Sequence, residues 1–135
     1  MKQAGHVRTR DDHASEVDED YVEAIAEIAT RLGACRVRDL QERFGVSHVT
    51  VTRRVQRLVD QKLATQEPRG PVALTTKGRK LASMSLERHE AVVAFLRSIG
   101  VDARTAEIDA EGIEHHVSKV TLDRMRAETR RRNGA

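Results

Sequence analysis

Apolar residues recur along this chain at two periods, and the change from one to the other marks its elements. Val22, Ile25, Ala26, Ala29 and Leu32 fall at helical spacing. Asp18 stands where an N-cap would sit, and Gly33 where a helix would end. A short second helix is expected through Val37, Leu40 and Phe44, stopped by Gly45. Ser47 is a suitable N-cap for a third helix whose inner face is Val51, Val55, Leu58 and Val59. The pattern then changes. Leu63 to Gln66 and Val72 to Thr75 are short strand-like runs around Pro68-Arg69-Gly70-Pro71, which has turn chemistry, so a hairpin is expected. Helical spacing resumes at Leu81, Met84, Val92, Phe95, Leu96 and Ile99, a long helix capped by Thr76 and closed by Gly100. Asp102 caps a fifth helix running to about His116. Ser118 caps a sixth, with Val120, Leu122 and Met125 as apolar positions and Arg130, Arg131 and Arg132 in a frayed end. Residues 1–17 show no period and read as a flexible arm, with His6 and His13 as solvated histidines.

The order helix, helix, tight turn, helix, hairpin is that of a winged helix-turn-helix. The expected fold is mainly α: a winged helix-turn-helix over 18–76 and a helical domain over 77–135. Composition agrees. Aromatic residues are 2% of the chain against 39% hydrophobic. A core of Leu, Val, Ile and Ala suits packed helices better than stacked sheets. The single cysteine, Cys35, rules out a disulfide framework and a cysteine-based zinc site. No apolar run approaches the roughly 18 residues of a membrane helix. The charged N-terminus lacks a signal-peptide core, so a cytoplasmic protein is expected.

The net charge of +3 hides local asymmetry within a chain that is 33% charged. Arginines gather in the middle and at the C-terminus, which suggests a polyanion partner. A helix fits the DNA major groove and reads base edges from its N-terminal residues. On the third helix, Ser47, His48 and Thr50 are expected to face bases, with Thr52 also exposed. Arg53, Arg54 and Arg57 are expected on phosphates or guanines, and Arg69, at the hairpin tip, on the neighbouring backbone.

Acids gather around Glu16 to Glu27 and Glu107 to Glu114. Within the second group, Glu111, Glu114 and His115 are spaced i, i+3 and i+4, on one face of a helix. Two carboxylates and an imidazole converging without a basic partner repel one another, and a divalent cation relieves that repulsion. Asp20 and Glu23, at i, i+3 on the first helix, and His89 on the fourth have the same character. Each also has a plainer reading: first-turn acids complement the helix dipole, and a lone histidine on an apolar face packs in a core. Together they offer four carboxylates, two imidazoles and no thiolate, a set that suits manganese or ferrous iron. Six donors exceed what one ion usually takes, so two adjacent ions per subunit are allowed.

The stretches Asp20-Tyr21-Val22-Glu23, Phe44-Gly45-Val46-Ser47, Arg69-Gly70 with Leu74-Thr75, Glu87-Arg88-His89-Glu90 and Glu111-Gly112-Ile113-Glu114-His115-His116 together resemble the diphtheria-toxin-repressor family, in its manganese-sensing branch. The resemblance covers nearly the whole chain. It implies that Asp20, Glu23, His89, Glu111, Glu114 and His115 are the Mn(2+) ligands. It implies a homodimer, formed through the C-terminal helices, that binds palindromic double-stranded operator DNA and represses manganese-uptake genes. Iron-sensing relatives place Met and Cys where this chain has Asp20 and Glu111, and they usually carry a further C-terminal domain. Relatives often have Pro where this chain has Val49, which leaves the operator sequence open. An iron-responsive repressor of the same family is the near alternative. A dinuclear metal enzyme is the distant one, because an enzyme needs an open coordination position and a substrate pocket.

Overall fold

A computed structural model describes residues 10–134, with side-chain surroundings given from Ala14 onward. Its elements run α1 (Arg10–Leu32), α2 (Val37–Phe44), α3 (His48–Asp60), β1 (Ala64–Gln66), β2 (Val72–Leu74), α4 (Thr76–Ser98), α5 (Ala103–Ile113), a 3-10 turn (Glu114–His116) and α6 (Lys119–Gly134). The chain divides into two compact units, 1–82 and 83–135. The division falls inside α4.

Several expectations change. Residues 1–9 of the expected arm, with His6, lie outside the described residues, but Arg10 to Val17 are helical. Asp18 is therefore an interior residue of α1, 4% exposed, and caps nothing. The buried face of α1 runs through Asp18, Tyr21, Val22, Ile25 and Ile28, while Leu32 is 55% exposed. Thr75, one residue before the expected Thr76, caps α4: its Oγ1 accepts from the Gly78 N–H at 3.0 Å and donates to the Lys62 carbonyl at 2.7 Å. The C-terminal arginines do not fray. Glu128 accepts hydrogen bonds from Arg131 and Arg132, and α6 continues to Gly134.

The first unit is a winged helix-turn-helix. Gly45 ends α2 at φ 64, ψ 40, and nothing lies within 4 Å of where its Cβ would be. The left-handed backbone, not crowding, therefore asks for glycine there. Ser47 then caps α3, its side chain accepting from Thr50 N at 3.2 Å. The strands pair antiparallel, Ala64 with Leu74 and Gln66 with Val72, and Cys35 bridges to Val72 at the edge. One core joins the unit, with Val22, Ile25, Ile28, Leu40, Val51, Val55, Leu58 and Val72 nearly or fully buried. Tyr21 stacks on Phe44 with ring centroids 4.3 Å apart, and Val46 packs against the same core. Each fully buried aliphatic side chain of this kind stabilises the fold by about 1.5–3 kcal/mol. At the base of the hairpin, a Cβ on Gly78 would stand 2.0 Å from the Leu63 carbonyl oxygen. Only a glycine lets α4 start so close to the strands.

The second unit has a smaller core of Val92, Ala110 and Leu122, flanked by Leu96, Ile113, Val117 and Met125. Asp102 caps α5 as expected, accepting from Thr105 N at 3.0 Å. Ser118 caps α6, accepting from Thr121 N at 3.2 Å. Met84, Ile99 and Val120, expected as lining positions, are exposed instead, Val120 by 72%.

Candidate metal centre and nucleic-acid interface

α5 does not reach His116 as an α-helix. It ends at Ile113, and the next three residues wind more tightly. In a 3-10 turn, residues three apart eclipse and successive residues step by about 120°. Glu111, at the end of α5, and Glu114, at the start of the tightened turn, both face His89 across this junction. His89, Glu111 and Glu114 each offer a ligand atom, and these atoms lie within 4.8 Å of one another. His115 is half-buried in the 3-10 turn and is not part of that group. Asp20 and Glu23 stand half-buried on α1, in the first unit.

His89 comes from α4 and has a 13% exposed side chain. Its Nδ1 faces Glu114 Oε1 at 3.2 Å and Glu111 Oε1 at 3.6 Å. Its Nε2 lies 2.8 Å from Oε1 of Glu107, a residue the sequence reading left within a general acidic run. Glu107 sits one helical turn before Glu111, the i, i+4 relation that could have singled it out. Glu114 is 1% exposed, a burial that an ionised carboxylate tolerates only with strong partners. Burial alone would lower the His89 pKa. The hydrogen bond with Glu107, the charge and hydrogen bond of Glu114 and the charge of Glu111 outweigh it, and the imidazole is held above its ordinary 6.5. The donors fit a small divalent ion in kind, being carboxylate oxygens with one imidazole and no thiolate. They also fit in spacing: bonds of about 2.1 Å in an octahedron place adjacent donors about 3 Å apart.

In the first unit, Ser47, His48, Arg53 and Arg69 are exposed, and Thr50, Thr52 and Arg54 are half-buried along the same helix. Thr52 Oγ1 donates to the Val49 carbonyl at 3.0 Å, and Val49 itself is 61% exposed. Arg69 holds φ 60 at the hairpin tip, a left-handed backbone costing a non-glycine residue about 1 kcal/mol. Arg57 differs from the other arginines. Its Nε donates to both carboxylate oxygens of buried Asp18, at 2.9 and 3.2 Å, and Gln61 Nε2 donates to the same carboxylate at 2.9 Å. A groove of about 790 Å³ runs between α2, α3 and the hairpin, lined among others by Arg36, Arg38, Gln41, His48, Thr52 and Arg69. Arg36, Arg38 and Gln41 were missed from sequence. Arg36 and Arg38 flank the start of α2, and a helix N-terminus is itself a phosphate-binding feature.

Known proteins resemble the chain in both halves. A family model described as "Iron dependent repressor, metal binding and dimerisation domain" matches residues 75–131, and a "MarR family" model matches residues 21–71. The transcriptional regulator MntR of Escherichia coli O6:H1 is 42% identical over 127 residues, covering 94% of this chain and 82% of that protein. The HTH-type transcriptional regulator MntR of Bacillus subtilis strain 168 is 43% identical over 108 residues, covering 79% of this chain and 75% of that one. Among solved structures, the manganese regulator SloR aligns with a TM-score of 0.71 at 28% identity, and a manganese-dependent transcriptional repressor in complex with manganese with a TM-score of 0.70 at 28% identity. These alignments cover 82% and 83% of this chain and 52% of each solved chain, so the chain spans about half their length. An identity above two in five, sustained across nearly all of the sequence, goes beyond a shared fold, and the chain belongs to the MntR family of transcriptional regulators.

Proposed function

We propose that the protein is a manganese-dependent repressor that binds palindromic operator DNA as a homodimer and silences manganese-uptake genes in the cytoplasm. The observation that carries this reading is the convergence of His89, Glu111 and Glu114 within 4.8 Å, inside the segment matched by the metal-binding and dimerisation model. No described helix is long and apolar enough to cross a membrane. The family is one of regulators, so the enzyme alternative is set aside.

Asp20, Glu23 and His115 complete the proposed Mn(2+) ligand set, which is large enough for two ions per subunit. An ion held by residues of both units ties the DNA-reading unit to the dimer-forming one. The two recognition helices of the dimer then sit one DNA turn apart, roughly 34 Å. Driving such an equilibrium from about 1% to 99% competent takes about 5.5 kcal/mol of differential affinity. The exposed Met84, Leu86, Ile99, Ile108 and Val120, all in the second unit, supply apolar surface for a second copy of the chain. On the DNA side, His48, Thr50, Thr52 and Arg53 face the groove, with Ser47 and Arg54 beside them. Arg36, Arg38 and Arg69 hold phosphates. Arg57 positions α3 through Asp18 and carries less of the contact than the sequence suggested.

The test is a fluorescence-anisotropy titration on a duplex selected from a random pool by the protein with manganese. Wild-type protein should bind only with the ion, and Glu111→Ala should lose that dependence together with most of its affinity. Full manganese-dependent binding by Glu111→Ala would sink the reading. A stronger response to ferrous iron than to manganese would favour the iron-responsive alternative.

A further inference from the structure

The His89 ring is gripped along both edges. Nδ1 faces Glu111 and Glu114, and Nε2 faces Glu107 at 2.8 Å, the shortest contact any of these carboxylates makes to the ring. An imidazole cannot turn both nitrogens toward one ion. With the ion on the Nδ1 edge, Glu107 stands across the ring from it and is not a donor to it.

We propose that Glu107 is a positioning residue for the metal centre, accepting the Nε2–H of His89 so that the Nδ1 lone pair points at the carboxylates of Glu111 and Glu114. This rests on the reading of those three residues as metal donors. A neutral imidazole carries one ring proton, and two tautomers compete for it. If the proton sits on Nδ1, the ring donates to Glu114 and its lone pair points away from the site. The ion would then have to move the proton or turn the ring before binding. A carboxylate on Nε2 removes that alternative in advance. Metal-bound histidines generally donate their second N–H to such a partner, and losing it costs about 10- to 100-fold in metal affinity. Glu107 is 60% exposed, so water replaces part of what it supplies, and the lower end of that range applies.

Two variants separate the hydrogen bond from the charge. Glu107→Gln keeps an acceptor oxygen and loses the charge, and Glu107→Ala loses both. Manganese affinity is read by isothermal titration. The tautomer is read from ¹⁵N chemical shifts of His89 in metal-free protein, at a pH where imidazoles are neutral. Wild type and Glu107→Gln should show a single Nε2–H tautomer and affinities within about threefold of each other. Glu107→Ala should show mixed tautomers and about tenfold weaker manganese binding, with unchanged circular dichroism. Wild-type shifts and affinity in Glu107→Ala would overturn the proposal. So would a lower manganese coordination number in that variant by X-ray absorption, which would make Glu107 a ligand. Absence of manganese binding by the wild type would overturn the metal-centre reading itself, and this inference with it.

Discussion

In the first unit, every element contributes a side chain to one apolar core, from Tyr21 on α1 to Ala82 on α4. The second unit encloses Val92, Ala110 and Leu122 and leaves Met84, Leu86, Ile108 and Val120 in solvent. Their buried polar groups differ in the same sense. Asp18 is answered in place by Arg57 and Gln61, so the charge is neutralised by the fold. At His89 one imidazole faces three carboxylates, those of Glu107, Glu111 and Glu114. The first unit completes itself. The second is built to be completed from outside, by a cation and by more apolar surface.

That contrast can be broken most forcefully in the core. Leu58→Ala should destabilise the first unit by about 2–5 kcal/mol, because Leu58 is fully buried and its loss leaves a cavity in the core. Chemical denaturation measures it. A cost below 1 kcal/mol would mean that the core is looser than its burial implies.

The second test adds what the other unit lacks. Manganese at a hundred times its dissociation constant should raise stability by about 2.7 kcal/mol, read as a rise in melting temperature. Amide exchange should slow in α5 and the 3-10 turn. Glu114→Gln should abolish both effects and leave α1 to α3 as protected as before.

Arginines of the recognition helix sharpen the comparison further. Arg57→Ala should cost about 1–2 kcal/mol of stability by stripping buried Asp18 of its ion pair, a figure reduced because Arg57 is itself partly solvated. Arg53→Ala should leave stability unchanged and lower DNA affinity and its salt dependence. Equal stability of the two variants would contradict the positioning role of Arg57.

The smallest effect concerns Cys35. Burial pushes its thiol up to about 11, with Asp39 adding to the rise and Arg43 opposing it. Because the folded value is raised, the thiol form favours the fold, and that contribution fades as pH rises from 9.0 through about 11. At pH 8 about a thousandth of Cys35 is thiolate, so maleimide should label unfolded protein rapidly and native protein hardly at all.

The helix-turn-helix was readable because its signals are local: Gly45 for the reversal, Ser47 for the cap, and Val51, Val55 and Leu58 at helical spacing. The start of α1 was not readable, because Arg10 to Val17 carry no apolar stripe. Asp18 likewise has the chemistry of a cap but is paired with Arg57, thirty-nine positions away. His89, Glu111 and Glu114 were all named from sequence. The tightened turn that carries Glu114 and His115 was not readable, because spacing rules assume a continuous helix. Glu107 was hidden because an acid in an acidic run looks solvated until a ring nitrogen is found beside it.

Gly78 carries no side chain, and its tolerance for one is nil. A Cβ there would meet the Leu63 main-chain oxygen at 2.0 Å, and that oxygen cannot rotate aside as a flexible side chain would. An alanine there must pry the base of the wing away from the helix that begins beside it. A genetic screen for loss of regulation would therefore return position 78 together with the metal donors, although it touches neither ion nor operator. The hit would report the mechanical seat of a joint.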